Sequence, residues 1–376
     1  MPWQEVSIMS QRCEFVKLAS LQQISFRELC RRFAISAPTG YKWLERSRDQ
    51  GPDLSDRPRR PRTSPQKTSE ALEAQVVALR TRHRTWGGRK IAARLTAKGF
   101  EQVPAPSTIT DILRRHDLLG EDQAQKHRPY LRFERPAPND LWQMEFKGNF
   151  AVSDGRCHPL TILDDHSRYS IAVRACRNEK SATVQAQLIE CFRRYGLPKQ
   201  MLMDNGGPWS SPVRGLTVLE AWLMRLDIGI SHGRPHHPQT QGKEERFHRT
   251  LKADVLQFDA PCDFAGCQPA FDAFRTLYNH ERPHEALGMQ PPASRYAPSP
   301  RSYPETLPPI QYAPGDHICK VSFNRVRFRG QVIVVGEGVV GQYVALRPTL
   351  EDGVYDVIYC NTTIRQINLR ERPKSP

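Results

Sequence analysis

Hydrophobic positions along this chain follow three successive patterns. Up to about residue 119, apolar residues recur every three or four positions, which is typical of amphipathic helices. From about residue 140, short apolar runs of strand length alternate with helical patterns, which is typical of an α/β domain. After residue 315, short runs separated by turn residues indicate small strands. The patterns predict a multidomain protein in which tandem all-α modules precede a central α/β domain and a small C-terminal β-barrel.

The first helical module, residues 1–50, has the pattern of a helix-turn-helix. Ser25 and Ser36 are suited to accept a hydrogen bond from a free helix amide, so helices are expected to begin there. The apolar side chains expected to pack together are Leu29, Phe33, Ile35 and Trp43. The side chains expected to face a DNA groove and its phosphates are Thr39, Lys42 and Arg46. A small basic bundle that binds no DNA is the alternative interpretation.

A second helix-turn-helix is predicted over residues 67–122. Its segment WGGRKIAARL is followed by a Pro-bounded turn and then by a helix that Ser107 is placed to cap. The candidate DNA contacts of that last helix are Thr108, Thr110, Arg114 and Arg115. Two basic modules in tandem favour DNA binding more strongly than one module does.

Two Pro-rich segments are predicted to be linkers. The first, residues 51–66, combines Pro, Arg and Ser, which excludes a helix or a central strand. A solvated spacer and a basic arm in a DNA minor groove both fit this composition. The arginines that would contact DNA are Arg57, Arg59, Arg60 and Arg62. The second linker, residues 296–315, separates the α/β domain, residues 123–295, from the barrel, residues 316–376.

The α/β pattern places two acids at promising positions. Strands are expected at 141–147, 158–164, 169–175, 199–204 and 228–232, and helices at 180–195, 212–226, 240–257 and 268–280. Period-two alternation in the first strand puts Glu145 opposite an apolar face that contains Trp142 and Met144. Asp204 ends an apolar strand and runs into a Gly-rich turn, at the edge where open α/β sheets place their sites.

The helix predicted at 240–257 offers two adjacent glutamates. Helical periodicity puts Glu244 on the apolar stripe, whereas Glu245 shares a face with His248 and Lys252. Glu245 is therefore the favoured third acid. Carboxylate oxygens suit Mg²⁺ or Mn²⁺, and two such ions would activate an attacking oxygen and stabilise a leaving one. The predicted catalytic and metal-binding residues are Glu145, Asp204 and Glu245.

Charge and composition narrow the partner and the compartment. The net charge is +15, and most of the surplus lies in residues 1–135. Double-stranded DNA is the favoured partner, because Lys and Arg release counterions when they neutralise phosphates, although ribosomal surfaces or anionic lipids would fit the charge alone. Nine cysteines without a CxxC pair indicate reduced thiols. The absence of a long apolar run predicts no membrane association and a cytoplasmic, nucleoid-associated bacterial protein.

Five ordered segments resemble bacterial insertion-sequence transposases with a retroviral-integrase-type core, most of all the insertion-sequence-481 family. They are LWQMEFKGNF, LTILDDHSRYSIA, MLMDNGGPW, HGRPHHPQTQGKEERFHRTLK and YNHERPHEALGMQPPASRY. The resemblance implies a ribonuclease-H-like core in which an Asp, Asp, Glu triad binds two Mg²⁺. It implies that water cleaves a strand at the end of the element and that the freed 3′-hydroxyl attacks target DNA. The matching positions are Glu145, Asp204 and Glu245.

The same resemblance implies how the protein meets its DNA. The helical modules are expected to bind the terminal inverted repeats, and two ends held together require at least a homodimer on DNA. Further candidate DNA contacts on the helix that carries the third acid are Arg249 and Lys252.

The first acid departs from the family's pattern. The family has WQMDFKG, whereas this chain has Glu145 in that place. An extra methylene moves the carboxylate by ~1 Å or more, and a misplacement of that size can lower the rate about 10²-fold. Tolerated variation, an inactive copy and a substitution made to trap a DNA complex are all open interpretations. We therefore predict a Mg²⁺-dependent transposase of reduced activity, with a catalytically inactive DNA-binding regulator or a purely hydrolytic nuclease as alternatives.

Overall fold

The computed structural model describes residues 7–51, 53–56, 67–119, 134–204, 206, 209, 215–233, 242–258 and 260–370. The chain divides into two compact units, Met1–Lys67 and Thr68–Pro376. No disulfide joins any of the cysteines. Within the described ranges, no helix is both long enough and apolar enough to cross a lipid bilayer.

The first unit contains a three-helix module. Its helices are α1 (Ile8–Leu21), α2 (Phe26–Arg32) and α3 (Ala37–Gln50). Ser25 accepts a hydrogen bond from the Glu28 amide at 3.3 Å, and Ser36 accepts one from the Thr39 amide at 3.3 Å. Both predicted caps are therefore confirmed. The predicted packing is also found, with Leu29 and Trp43 in the core and Phe33 and Ile35 partly buried against them.

The second unit begins with another three-helix module. Its helices are α4 (Glu70–Arg82), α5 (Gly88–Ala97) and α6 (Pro106–Arg115). Gly88 lies where α5 meets α6, and a Cβ there would collide with the Pro106 carbonyl. The prediction that Ser107 caps α6 is wrong, because Ala105 holds the cap position without a side-chain hydrogen bond. Pro106 sets this earlier start, since its fixed φ suits the first helical position.

A six-stranded mixed sheet forms the centre of the second unit. Its strands are β1 (Trp142–Phe146), β2 (Phe150–Val152), β3 (Gly155–Asp164), β4 (Ser170–Cys176), β5 (Gln200–Met203) and β6 (Gly229–His232). The order is β2-β3-β1-β5-β6, with β4 paired to β3. Strands β1, β5 and β6 are parallel, whereas β3 runs antiparallel to β1 and β4. All five predicted strands are present, and β2 was not predicted because three residues are too few to show a period.

Helices cover both faces of this sheet. They are α7 (Ser181–Tyr195), α8 (Val218–Arg225), α9 (Gly242–Leu251) and α10 (Phe264–His280). Helices α7 and α8 pack on the face that carries Trp142 and Met144. Helices α9 and α10 pack on the opposite face, because their apolar side chains contact Leu163 and Val173. That second face is also the one on which strand alternation places Glu145.

Three helices differ from their predicted extents, and one of them is α10, which begins at Phe264, four residues before the predicted start at 268. The α-helix predicted over 240–257 ends at Leu251 and continues as a π-helical turn, Lys252–Leu256. Such turns are rare and are found frequently at functional sites. Helix α8 begins only at Val218, because Thr217 and Glu220 form a capping box there.

The C-terminal region is an open β structure, so the predicted closed barrel is not confirmed. Its strands are β7 (His317–Lys320), β8 (Arg325–Phe328), β9 (Gln331–Val334), β10 (Tyr343–Pro348), β11 (Val354–Tyr359) and β12 (Thr362–Asn368). They form a four-stranded sheet, β12-β11-β10-β7, and a separate β8-β9 pair. The chain just after β9 bonds to the core instead of closing a barrel: the Leu216 amide donates to Val335 at 3.0 Å, and the Gly338 amide donates to Leu216 at 2.9 Å.

Candidate active site

Glu145 lies near the end of β1, on the sheet face that α9 covers. It is opposite Thr161 of β3, whose hydroxyl donates to the Glu145 carbonyl at 3.0 Å. In the parallel pair of β1 and β5, Met144 is opposite Met203. Glu145 and Asp204 are therefore the next positions along neighbouring strands, which lie about 4.8 Å apart. The two acids are adjacent at the carboxyl ends of their strands.

Asp204 is held by the turn that follows β5. Its Oδ1 accepts the Gly206 amide at 3.2 Å. Its main-chain carbonyl lies 3.1 Å from Nδ1 of His232, whose Nε2 is 2.8 Å from Glu220. The hydrogen bond to Glu220 raises the pKa of His232 above its usual value. A protonated ring donates through both nitrogens, so this pair anchors the backbone that carries Asp204.

Helix α9 brings two glutamates towards β1, and they have opposite environments. Glu244 is 2% exposed, and its Oε2 accepts the Thr161 hydroxyl at 3.2 Å. Its other oxygen, Oε1, is buried and has no hydrogen-bond partner among the described residues. Glu245 is exposed. The apolar stripe of α9 therefore buries Glu244, as its periodicity predicted, and leaves Glu245 on the outer side of the helix.

Neighbouring acids raise the proton affinity of Glu145 and of Glu244. Burial, together with the negative charges of Asp204 and Glu245, raises the pKa of Glu145 to about 7. Burial and the charge of Glu145 raise the pKa of Glu244 well above its usual value. The two charged groups that act on Glu145 are thus both acidic, and they come from a strand end and a helix that are far apart in the sequence.

The donor atoms of these acids suit a divalent cation, but the acids do not enclose a cation site. Within the described ranges, no three His, Cys, Asp or Glu side chains form a ready set of metal ligands. The available donors are carboxylate oxygens, which Mg²⁺ prefers. A bound cation would also neutralise the repulsion among Glu145, Asp204 and Glu245. Glu145 is therefore close enough to Asp204 and Glu245 to be affected by their charges, but the described residues do not form a closed set of metal ligands.

A buried polar network lies beneath the acids. The Thr161 hydroxyl is 2.8 Å from Nε2 of His248, and Glu244 Oε2 is 3.6 Å from the same nitrogen. Burial, with the nearby Lys147 charge, lowers the pKa of His248 to about 4, so the ring is neutral at physiological pH. The network ties α9 to β3 directly under Glu145. Sequence analysis missed the role of Thr161, and a polar residue inside the apolar run LTIL was the available signal.

The predicted DNA contacts of the first module differ in their surroundings. Lys42 is exposed, with its Nζ 5.4 Å over the Trp43 ring, whereas the Arg46 guanidinium lies 4.8 Å over the same ring and also donates to the Ser55 carbonyl at 3.0 Å. The Thr39 hydroxyl lies 2.8 Å from that of Ser36. Arg46 and Thr39 therefore already have contacts within the module. The predicted contacts Arg57, Arg59, Arg60 and Arg62 lie outside the described residues.

In the second module, the predicted contacts lie on α6. Thr108 is exposed. Arg114 forms an ion pair with Asp111 of the same helix, and Arg115 bonds Glu73 of α4 at 3.1 Å. Both arginines remain more than half exposed, at 66% and 55% of the side chain. The Thr110 hydroxyl instead donates back to the Pro106 carbonyl at 2.8 Å, which occupies it within the helix.

Basic side chains accompany the acids on α9. Arg249 and Lys252 are exposed beyond Glu245 on the outer side of the helix. Burial and the charge of Lys252 lower the pKa of Lys147, which follows β1, so these two lysines lie near each other. Sequence analysis missed Lys147 as a candidate contact, although it stands two residues after Glu145. A pair of lysines beside a group of acids suits a phosphate whose neighbouring oxygens bind metal.

Family models match successive parts of the chain. A helix-turn-helix domain matches residues 11–62, and a homeodomain-like domain matches residues 39–113. Two models of the integrase core domain match residues 135–238 and 226–292. The C-terminal domain of the IS481 family transposase matches residues 316–375. The matches follow one another in the order of the structural modules.

Two of the curated relatives are proteins of bacterial insertion elements. A protein of insertion element IS476 from Xanthomonas euvesicatoria is 26% identical over 61% of this chain and 65% of its own length. A protein of insertion element IS407 from Burkholderia multivorans is 22% identical over 61% of this chain and 82% of its own length. This chain thus spans a little under two thirds of the IS476 protein. Among solved structures, the catalytic core domain of BIV integrase is 22% identical with a TM-score of 0.33, over 42% of this chain and 92% of that one.

Together these matches define the class of the protein: an integrase-core protein with helix-turn-helix domains in front of the core. Its C-terminal region is similar to the C-terminal domain of the IS481 family transposase, and two of its relatives are proteins of bacterial insertion elements. The resemblance drawn from the sequence motifs is confirmed.

Proposed function

We propose that this chain is a DNA transposase that binds the terminal inverted repeats of an insertion sequence and carries out metal-dependent strand cleavage and strand transfer. The observation that carries the proposal is the group of mutually repelling acids at the carboxyl edge of the integrase-type sheet. The helix-turn-helix domains support the choice of DNA as substrate.

The proposed reaction has two displacement steps. In the first, water attacks a phosphodiester at the end of the element, and the bond from phosphorus to the 3′-oxygen breaks. The element then has a free 3′-hydroxyl, and the flanking DNA keeps the 5′-phosphate. In the second, this hydroxyl attacks a phosphodiester of target DNA, and the target's 3′-oxygen leaves. Each step exchanges one phosphorus–oxygen bond for another, so no redox or energy-carrying cofactor is required.

Glu145, Asp204 and Glu245 are the proposed ligands of two Mg²⁺ or Mn²⁺ ions. Such ions supply charge that activates the attacking oxygen and stabilises the leaving one. To serve as ligands, the acids must be ionised, and the raised pKa of Glu145 opposes this until a cation offsets the charges of its neighbours. Lys147 and Lys252 are placed to hold the DNA backbone beside the acids.

Glu145 is the proposed ligand that departs from the family's pattern. Glutamate is one methylene longer than the aspartate of the family's pattern, so its carboxylate reaches further than the family's site requires. We propose that the chain retains the transposase architecture with reduced catalysis. Strand transfer on DNA that carries the terminal repeats, compared between this chain and Glu145→Asp in Mg²⁺ and in Mn²⁺, tests the idea. Equal and vigorous activity of both proteins would contradict reduced catalysis.

A catalytically inactive regulator derived from a transposase is the second candidate. The open arrangement of the acids and the glutamate at the first position favour it. Chelation of divalent ions separates the candidates, because it should abolish cutting by a transposase and leave repeat binding largely intact. Repeat binding without any cut or joined product, for this chain and for Glu145→Asp, would establish the regulator. A cut without a branched joining product would indicate a hydrolytic nuclease.

The wider assignments follow from this proposal. Two element ends must be held together, so we expect at least a homodimer on DNA, bound in turn to target DNA. The expected place of action is the bacterial nucleoid in the cytoplasm. The proposed division of labour assigns repeat recognition to the modules at 1–50 and 67–122 and the chemistry to the domain at 123–295.

A further inference from the structure

One carboxylate joins the second helix-turn-helix module to the catalytic domain. The Thr85 hydroxyl, in the loop between α4 and α5, donates to Asp254 Oδ1 at 2.6 Å. The other oxygen, Oδ2, accepts Nη1 of Arg282 at 2.8 Å. The contact is largely shielded from water, with the Asp254 and Arg282 side chains 16% and 8% exposed. Both oxygens of Asp254 are therefore used to hold two segments that are distant in the sequence.

Asp254 occupies a particular place with respect to the acids. It lies in the π-helical turn that continues α9, nine residues after Glu245 and two after Lys252. The Gln257 amide closes this turn by donating to the Lys252 carbonyl at 2.8 Å. A π-helical turn rotates the following side chains relative to a straight α-helix. The turn thus directs Asp254 towards the helical module while α9 keeps Glu245 beside β1.

Two further contacts make the junction stiff. Arg94 of α5 donates to Glu281 at 2.7 Å, just after α10. Leu277 of α10 packs against the apolar core of the helical module, which contains the fully buried Trp86. The module is therefore fixed at separate points along α5, α10 and the π-helical turn. Helix α6, which exposes Thr108, Arg114 and Arg115, is thereby held in a constant position relative to α9.

We infer that Thr85, Asp254 and Arg282 are positioning residues that set the distance from the DNA-reading helix α6 to the acids and so select the phosphate that is cut. The inference rests on the proposed transposase function. Successive phosphates of one strand are separated by only ~3.4 Å along the duplex axis. A module that moved by this amount would present neighbouring phosphates to the same acids. A fixed junction restricts the cut to one of them.

The test compares matched threonine variants of the full chain. Thr85→Val keeps the side-chain shape and removes the hydroxyl, whereas Thr85→Ser restores a hydroxyl. Thr81→Val is the control, because within the described part of the chain the Thr81 hydroxyl bonds only the Val77 carbonyl of its own helix. Cutting is measured on end-labelled DNA with the terminal repeat, and repeat binding is measured by titration of the same DNA.

We expect Thr85→Val to spread the cuts over neighbouring phosphates while it binds the repeat as well as the parent chain does. Thr85→Ser and Thr81→Val should cut at the single parental position. If the parent chain cuts DNA and its Thr85→Val variant still cuts at a single site, the positioning role is overturned, whereas the proposed function is not. Loss of repeat binding by this variant would also overturn the positioning role, because the contact would then support the module itself. No cut by the chain or by Glu145→Asp would overturn the proposed function.

Amide hydrogen exchange gives a second readout that needs no catalysis. A hydrogen bond to a charged group is strong enough that its loss should increase local opening about tenfold. We expect Thr85→Val to speed exchange by that factor at Lys252–Leu256 in the full chain, and Thr81→Val to leave it unchanged. Unchanged exchange in Thr85→Val would show that the hydroxyl does not hold the π-helical turn, and would overturn the inference.

Discussion

The acids at the edge of the sheet and the acid in the π-helical turn after α9 differ in how their charge is compensated. Beyond the end of α9, Asp254 bonds Thr85 and Arg282. At the edge of the sheet, by contrast, Glu145 is acted on by the charges of Asp204 and other acids. The first arrangement stabilises the fold in the protein as it stands. The second arrangement destabilises the folded protein until a cation binds and offsets the negative charges.

This difference distinguishes the acids of a candidate functional site from acids that only stabilise the fold. Another buried acid, Asp165, is compensated in the same way as Asp254. It accepts a hydrogen bond from the Gln143 side chain at 2.7 Å and forms an ion pair with Lys243 at the start of α9. An acid whose charge is compensated by hydrogen-bond and ion-pair partners does not need a bound cation. An acid whose pKa is raised by the charges of neighbouring acids, as that of Glu145 is, marks a place where a cation or substrate would relieve the repulsion. Four predictions test this contrast.

The largest effect is expected from Asp204→Asn. Removing a proposed ligand should lower strand transfer by more than about 10²-fold, the upper range for groups that merely support metal ligands. The measurement is joined product formed in Mg²⁺, with repeat binding followed in parallel. Glu190→Gln is the control, since Glu190 is an exposed acid on α7 that pairs with Arg193. Near-normal joining by Asp204→Asn would remove this residue from the site.

The next effect is expected from Glu145→Asp. Shortening the side chain should return the carboxylate to the place that the family's pattern specifies, and the gain in strand transfer can reach about 10²-fold if the present misplacement is ~1 Å. Single-turnover rates on pre-cut repeat DNA measure the joining step alone. A lower rate for Glu145→Asp would show that this site is adapted to glutamate.

At the compensated acid, Arg282→Met should act on stability. It leaves the largely buried Asp254 without its cation, and removing one partner of a buried ion pair costs about 3 kcal/mol of unfolding free energy. The change is measured by urea unfolding. The exposed pair of Arg114 and Asp111 offers the control, because Arg114→Met should change the free energy by less than about 0.5 kcal/mol. Equal effects of the two substitutions would contradict the contrast.

The smallest effect is a pH dependence in metal-free protein. The folded-state pKa of Glu145 is about 7, above its ordinary value of 4.5, so ionisation destabilises the folded state as pH rises between these values. Glu145→Gln removes this penalty. Its melting temperature should exceed that of the parent chain at pH 8, and the difference should shrink towards zero as pH falls to 4.5.

The same comparison with Mg²⁺ present should reverse. The ion would neutralise the acids of the parent chain and stabilise it, whereas the glutamine variant lacks one proposed ligand. A melting-temperature difference that does not change with pH, or a Mg²⁺ effect equal in both proteins, would contradict the assignment of Glu145 as an uncompensated acid.

Much of the molecule follows from local patterns in the sequence. Ser25 and Ser36 cap helices because a hydroxyl and the amides it accepts are only three residues apart. The apolar period buries Glu244 and exposes Glu245, since one helix face must meet the sheet. The alternation around Glu145 identifies the strand face it occupies. The ordered motifs identify the family, because residues of a shared site keep their spacing.

Other features depend on which distant segments meet. No local pattern near Thr85 predicts its hydrogen bond to Asp254. No local pattern near Leu216 predicts the strand-like hydrogen bonds that are found in place of barrel closure. The sequence by itself determined which residues are buried and which are acidic, because these are properties of each position and its near neighbours. Only the tertiary structure decided which acids are compensated, since that depends on the partners that folding brings within bonding distance.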